Sequence, residues 1–314
     1  MRFLVVGTGG VGGYFGAKLA NAGEDVSFVA RGKHLEAMKQ HGLKVKSATE
    51  AFTISPNRIL ENVSDGGQVD VVLFCVKSYD TEKAAHQLLN AVQKDTVIIS
   101  LQNGIENEEL LQQLIPAATV YGGVAYIYST ITAPGEITRY EGPAKIVFGP
   151  LDNTLNDRAR SILMRFQQAG ISADLSANIR QELWKKFIFI TGVSGITALT
   201  RLSLGELLSN DETRELIRNA MEETKALAVA EHIQLDPDLI SSFFETLGKF
   251  KNDTRSSLYF DLANGKPMEL EALAGTVVRM GERLSIPTPI QQTIYASLLP
   301  YHRKHLQNLV GSGS

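Results

Sequence analysis

MRFLVVGTGGVGGYFGAKLANAGEDVSFVA, residues 1–30, is the stretch that decides the fold. RFLVV is an apolar run of strand length, and a glycine cluster follows it directly. VGGYFGAKLANAG then has helical spacing, Gly23 is placed to end the helix, and DVSFVA resumes strand character. Strand, helix and strand within about 30 residues make one βαβ unit. Inside it GTGGVG, residues 7–12, fits G-x-G-x-x-G. Glycine triplets also occur in ordinary turns, so the context carries the reading: the motif follows a strand and opens a helix. Gly7 then permits the tight turn, Gly9 lets a pyrophosphate approach the backbone, and Gly12 lets helix pack on strand. Thr8, Gly10 and Val11 complete a loop whose N–H groups and positive helix end face phosphates.

The alternation continues outward. DVVLFCV (70–76) and TVIIS (96–100) read as strands, and residues 81–92 and 106–115 as helices. Strands alternating with helices imply a doubly wound, mostly parallel sheet of the Rossmann type. From residue 120 the texture turns β-rich, with YGGVAYIYSTIT, EITRY and KIVFG separated by turn residues at Ala133, Pro134, Gly135, Gly142 and Pro143. These runs extend the sheet with antiparallel strands. A helix over 156–169 and a strand ISADLS follow, and the remainder is helical. Asn178 can cap a helix starting at Ile179, and periodic segments lie at 211–231, 269–284 and 288–305. The expected organisation is an α/β dinucleotide-binding domain over 1–176 and an all-α domain over 177–310 that carries substrate chemistry. Residues 311–314 read GSGS, a flexible tail or an expression scar.

Composition narrows the partners. With 31 basic against 34 acidic residues the formal charge is −3, so there is no broad basic field for a nucleic-acid backbone or an anionic membrane. The most apolar run, FIFITGVSGITALT, is too short and too rich in Gly, Ser and Thr to span a bilayer. One cysteine, Cys75, excludes an internal disulfide, reads as core filler and points to a reducing compartment. Together with an opening that reads as a first strand rather than a leader, this gives a cytoplasmic expectation. The six histidines lack metal-ligand spacing, no Ser-His-Asp arrangement stands out, and no metal is expected.

The end of the second strand chooses between cofactors. An NAD site offers Asp or Glu to the ribose hydroxyls there, but this chain has Ala30, Arg31 and Gly32. Arg31 can pair with a 2′-phosphate, which favours NADPH over NADH, while an exposed arginine in a solvated turn is the plainer alternative. VKSYD (76–80) and LQNG (101–104) sit at carboxyl ends of strands, where ligands of open α/β sheets gather, so Lys77 and Asn103 become site candidates. Asn before Gly is also plain turn chemistry.

The ordered set GTGGVG, VKSYDTEKA, LQNGIENEE, ELWKKF, SSLYFDLANGKPMELEALAG and IPTP resembles the ketopantoate reductase (2-dehydropantoate 2-reductase) family across most of the chain. The resemblance implies an NADPH enzyme that reduces a small 2-oxo acid to its 2-hydroxy acid. It puts the family's catalytic lysine on Lys186 and its glutamate on Glu269. Asn103 and Ser257 then match substrate-holding positions. Family asparagines four and eight residues after the lysine are replaced here by Ile190 and Ser194; Ser194 can still hydrogen-bond, Ile190 cannot. Loss of a group that reads a substrate hydroxyl shifts specificity, so a sister 2-oxo acid is the alternative substrate. A third reading, from another class, is an NADPH-binding regulatory protein that kept the fold and lost the chemistry. By spacing alone Lys186 also reads as a lysine reaching from an apolar helix into water. On the same basis Glu269 reads as a first-turn carboxylate, and Ser257 as a helix-entry hydroxyl. The long helices of the second half could form a homodimer surface.

Overall fold

The computed structural model describes residues 1–55 and 58–311, so residues 312–314 of the expected tail lie outside the described residues. The chain forms two compact units: residues 1–102 with 106–182, and residues 103–105 with those from 183 onward. The division falls inside one long helix, between Glu182 and Leu183.

The first unit is a Rossmann-type α/β domain. Strand β1 (Arg2–Val6) runs into α1 (Gly10–Asn21) and β2 (Asp25–Val29), and α2 (Gly32–His41) follows. Next come β3 (Leu43–Lys46), β4 (Ala51–Ile54), β5 (Ile59–Leu60) and β6 (Val71–Phe74). After α3 (Thr81–Leu88), β7 (Val97–Ser100) and α4 (Asn107–Leu114), two 15-residue strands appear, β8 (Thr119–Ala133) and β9 (Glu136–Pro150). Helix α5 (Asp157–Gln168), capped by the Asn156 carboxamide oxygen on the Ala159 N–H, and β10 (Ser172–Leu175) complete the unit. The sheet order is β4-β3-β9-β8-β7-β6-β1-β2-β5, with β10 beside β9. The strands β2, β1, β6, β7 and β8 pair parallel; the apolar runs of β1, β6 and β7 are buried, whereas β2 buries Val26 and Phe28 and leaves the alternate residues half-buried. Cys75 packs partly buried against this core, and burial pushes its thiol pKa up.

Two expectations needed correction. EITRY and KIVFG are one strand rather than two, because residues 140–143 bulge out of the β8 ladder between the Arg139–Ser129 and Ala144–Ile127 pairs. Gly142 takes φ +120 there, and the missing N–H of Pro143 costs no ladder bond to β8. Beyond the bulge β9 changes neighbours, from β3 at residues 136–138 to β10 at residues 145–148. The second correction concerns residues 31–69, where α2 and three short strands stand that the alternation pattern did not reveal.

The second unit is helical, an all-α domain. It is built on α6 (Ile179–Thr200), with α7 (Leu204–Ser209), α8 (Asp211–Ala230), α9 (Leu239–Leu247) and α10 (Ser257–Ala263). A π-helical turn over Glu271–Gly275 leads into α11 (Thr276–Leu284), and α12 (Pro289–Gly311) ends the described chain. The apolar run in α6 is a helix buried by its neighbours: a Cβ on Gly192 would press into Met221 of α8, and one on Gly195 into Ile294 of α12. Polar ties fix the same helices, with Gln291 Nε2 donating to the Thr191 carbonyl (3.0 Å) and the Thr191 and Thr224 hydroxyls 2.9 Å apart. Among the described residues no helix is long and apolar enough to cross a membrane.

Candidate functional site

The glycine loop follows β1 and is hemmed in by the end of β6. Gly7 has φ +95, and a Cβ there would stand 2.7 Å from the Cys75 carbonyl carbon and the Val76 nitrogen, so only glycine fits. Thr8 turns inward, its Oγ1 (2.8 Å) and N–H (3.3 Å) both donating to the Val29 carbonyl at the end of β2. A Cβ on Gly12 would press into the Gly7 carbonyl oxygen and lie 2.9 Å from Val5 Cγ1, which is the close helix-on-strand approach. Gly10 is closed in the same way by the Ser129 backbone of β8, 2.7 Å from its carbonyl carbon, and Val11 packs against the core.

Gly9 differs from its neighbours, since nothing lies within 4 Å of the place its Cβ would take. Helix α1 also has no acidic residue in its first turn and no side-chain cap, so its first N–H groups are left to an outside acceptor. An open backbone at Gly9 before uncapped N–H groups fits the pyrophosphate of a dinucleotide.

Around this loop, Arg31 sits at the N-cap of α2 and its Nη2 donates to Asp80 Oδ2 at 2.6 Å. The Asp80 hydrogen bond raises the Arg31 pKa above its ordinary value, against the effect of burial. Lys77 is extended and partly exposed, and its carbonyl accepts the Asp80 N–H at 2.8 Å in the turn that starts α3. Gln102 Nε2 donates to the Val76 carbonyl (3.0 Å) and Thr81 Oγ1 (2.8 Å), tying the ends of β6 and β7 together.

In the second unit Lys186, Ile190 and Ser194 fall at i, i+4 and i+8 on α6 and so share one face. Lys186 is partly exposed, Ile190 packs partly buried against the helical core, and Ser194 is buried. The Ser194 carbonyl accepts from Thr197 Oγ1 (3.0 Å) and Ser256 Oγ (3.2 Å). Ser256 caps α10 by accepting the Tyr259 N–H at 3.1 Å, whereas Ser257 is exposed on the first turn. Of the two adjacent serines it is therefore Ser256 that reaches α6. Either serine suits an N-cap, so spacing alone could not choose between them.

Glu269 is only 5% exposed, and Asn103 Nδ2 approaches its Oε2 at 3.5 Å across 166 residues of sequence. Asn103 reaches it from a turn in which Gly104 takes φ +115. Regular α-helix starts only at Thr276, not at Glu269 as the periodicity predicts; Glu269 lies before the π-helical turn. Two histidines of α12 that sequence reasoning missed hold the backbone just ahead of it. The Met268 N–H donates to His302 Nδ1 (3.2 Å), and His305 Nδ1 lies 3.0 Å from the Lys266 carbonyl. Burial lowers the His302 pKa, keeping the ring neutral and able to accept. Their spacing of three on one helix was the available signal.

Glu108, in the first turn of α4, is 2% exposed and neither carboxyl oxygen has a well-formed hydrogen bond. Burial pushes its pKa up to about 7, only partly offset by its own N–H, the nearby Ser100 hydroxyl and the Arg180 charge. Between the ordinary value of 4.5 and about 7 the folded chain thus holds a proton that the unfolded chain has released. Stability therefore falls as pH rises through that window, by about 3 kcal/mol in all. Glu108→Gln should match the parent in thermal unfolding at pH 4.5 and exceed it at pH 8; equal midpoints at both would contradict this.

Comparisons with known proteins agree with this architecture. Residues 3–153 match the family model described as ketopantoate reductase PanE/ApbA, and residues 178–302 match that of its C-terminal region. An uncharacterized oxidoreductase, YkpB of Bacillus subtilis (strain 168), is 31% identical over 301 residues, covering 96% of this chain and 99% of that protein. The 2-dehydropantoate 2-reductase of Archaeoglobus fulgidus is 30% identical over 293 residues, covering 93% and 95%. The crystal structure of a PanE/ApbA family ketopantoate reductase from Ralstonia eutropha JMP134 superposes with a TM-score of 0.90 at 31% identity, covering 98% of this chain and 100% of that one. The chain therefore belongs to the ketopantoate reductase family, NAD(P)-dependent oxidoreductases that act on CH–OH groups.

Proposed function

We propose that this protein reduces ketopantoate (2-dehydropantoate) to pantoate with NADPH, the step such reductases contribute to pantothenate biosynthesis. What carries the reading is the Asn103–Glu269 pair, a buried carboxylate met by the asparagine of a strand-end turn, in a chain whose glycine loop fits a dinucleotide. When bound, the cofactor supplies a hydride to the 2-oxo carbon. The chain's residues do the rest.

Gly7 and Gly12 shape the loop, Gly9 admits the pyrophosphate, Lys77 adds positive charge, and Arg31 pairs with the 2′-phosphate. Lys186 is the general acid: its ammonium stabilises negative charge growing on the substrate oxygen and passes a proton to it. Glu269 anchors the lysine or accepts a hydrogen bond from a substrate hydroxyl, and Asn103 orients the carbonyl or carboxylate without adding charge. Ser194 and Ser257 are substrate-side hydroxyls in this scheme, with Ser256 holding α10 to α6 behind them. We assign cofactor binding to 1–176 and substrate chemistry to 177–310, with a cytoplasmic, homodimeric protein as the working form.

A second reading keeps the chemistry and changes the substrate. Ile190, apolar and packed on the helical core one turn after Lys186, favours a 2-oxo acid that lacks the hydroxyl of ketopantoate. A panel of 2-oxo acids, with and without that hydroxyl, assayed by NADPH oxidation, separates the two. The highest kcat/KM on ketopantoate supports the first reading, and a clear preference for an unhydroxylated branched acid overturns it in favour of the second. Arg31→Ala should weaken NADPH binding about tenfold or more while leaving NADH within about twofold, since only the former carries the charge that Arg31 meets. An equal effect on both would refute that role.

A further inference from the structure

Arg31 is not an empty cradle. Its guanidinium is 72% exposed and held by the Asp80 carboxylate at 2.6 Å. Asp80 is itself only 21% exposed and is fixed in place: its N–H is bound to the Lys77 carbonyl, and the next residue, Thr81, is buried and tied to Gln102. The ion pair therefore joins the N-cap of α2, after β2, to the N-cap of α3, after β6. In an NAD site the carboxylate that accepts the ribose hydroxyls comes from the end of the second strand. Here that strand ends at Val29 and is followed by the buried Ala30, and the carboxylate arrives from the N-cap of α3.

We propose that Asp80 is a specificity-determining residue that sets the balance between the two nicotinamide dinucleotides, competing with the 2′-phosphate for Arg31. This rests on the reading of Arg31 as the phosphate partner. Guanidinium has five N–H donors and Asp80 takes one, so a phosphate can still bind, but it does so in the field of a fixed negative charge. A 2′-hydroxyl in the same place meets no repulsion and gains an acceptor. Both effects act in one direction: the carboxylate penalises the phosphorylated cofactor and favours the unphosphorylated one.

The test is direct binding of NADPH and NADH to the purified protein and to Asp80→Asn, Asp80→Ser and Arg31→Ala, each checked for its unfolding temperature. Asparagine keeps the shape and an acceptor for Arg31 while removing the charge. The ratio of the NADH to the NADPH dissociation constant should rise about fivefold to tenfold in Asp80→Asn, mainly through tighter NADPH, and the gain should shrink as salt is raised. Asp80→Ser should move the ratio the same way if asparagine disturbs α3. A ratio that falls or stays constant in both Asp80 variants, while Arg31→Ala lowers it, overturns the proposal and makes Asp80 a strut that orients Arg31. A ratio unmoved by Arg31→Ala removes the Arg31 reading itself.

Discussion

Lys186→Ala should lower kcat on the preferred 2-oxo acid by about three orders of magnitude or more, with the NADPH dissociation constant within about twofold of the parent. The size follows from two duties lost together. A positioned general acid contributes about 10² to 10⁴, and a charge aimed at a growing oxyanion a further factor of about 10² to 10³. Lys186 is partly exposed on α6, so truncation opens no core cavity and the unfolding temperature should hardly move. Lys186→Arg should recover little, because guanidinium keeps the charge but does not release its proton near neutral pH. Were the lysine only reaching from an apolar helix to water, both variants would keep activity within a few-fold; steady-state kinetics with a cofactor titration decides.

Gly9→Ala should separate cofactor binding from folding. Gly9 is extended (φ −88, ψ −160), a conformation open to alanine, and nothing stands within 4 Å of the added methyl. The domain should fold with an unchanged unfolding temperature, yet the methyl would occupy the side from which the pyrophosphate approaches. An increase of about 100-fold in the dissociation constants of both NADPH and NADH is expected, about 2.7 kcal/mol. Gly12→Ala should behave in the opposite order. Its methyl would be driven into the Gly7 carbonyl and Val5, so overpacking destabilises the first unit by about 3 kcal/mol or more before any ligand is added. Loss of folding in Gly9→Ala, or unchanged affinity in it, would refute the division of labour between the two glycines.

The legible parts of the fold were those where burial imposes a period. RFLVV and VVLF are buried along their apolar residues and read as apolar runs, and Gly7, Gly10 and Gly12 of the loop after β1 are forced by close approaches that no side chain permits. The edge of the sheet was not legible. LKVK alternates over only four residues and β5 has two, too short for a period to emerge from composition. Gly142 and Pro143 look like a turn, yet they sit in a bulge that lets one strand exchange neighbours, and only the ladder reveals this.

In the candidate site, strand-end position and the family resemblance named residues but not their contacts. Asn103 stands out by its strand-end turn and Glu269 only through the resemblance, and their meeting across 166 residues is a tertiary fact. The inward role of Ser256 rather than Ser257 depends on where α10 begins, a one-residue matter that rotates a side chain by about 100°. His302 and His305 escaped notice because scattered histidines suggest no ligand set, whereas their partners are backbone groups beside Glu269. The carboxylate opposite Arg31 was missed for a related reason, since it lies 49 residues away at the start of α3.

Delivery of a hydride straight to the carbon of a 2-oxo acid is followed most directly by an isotope label. The protein is incubated with NADPH deuterated on the transferring face of nicotinamide C4 and with the 2-oxo acid it turns over fastest, and the product is weighed by mass spectrometry. One deuterium at C2 of the 2-hydroxy acid, with none from deuterated solvent, is the predicted result. Tight NADPH binding with no 2-hydroxy acid formed from any member of the panel, or deuterium entering C2 from solvent, would contradict it.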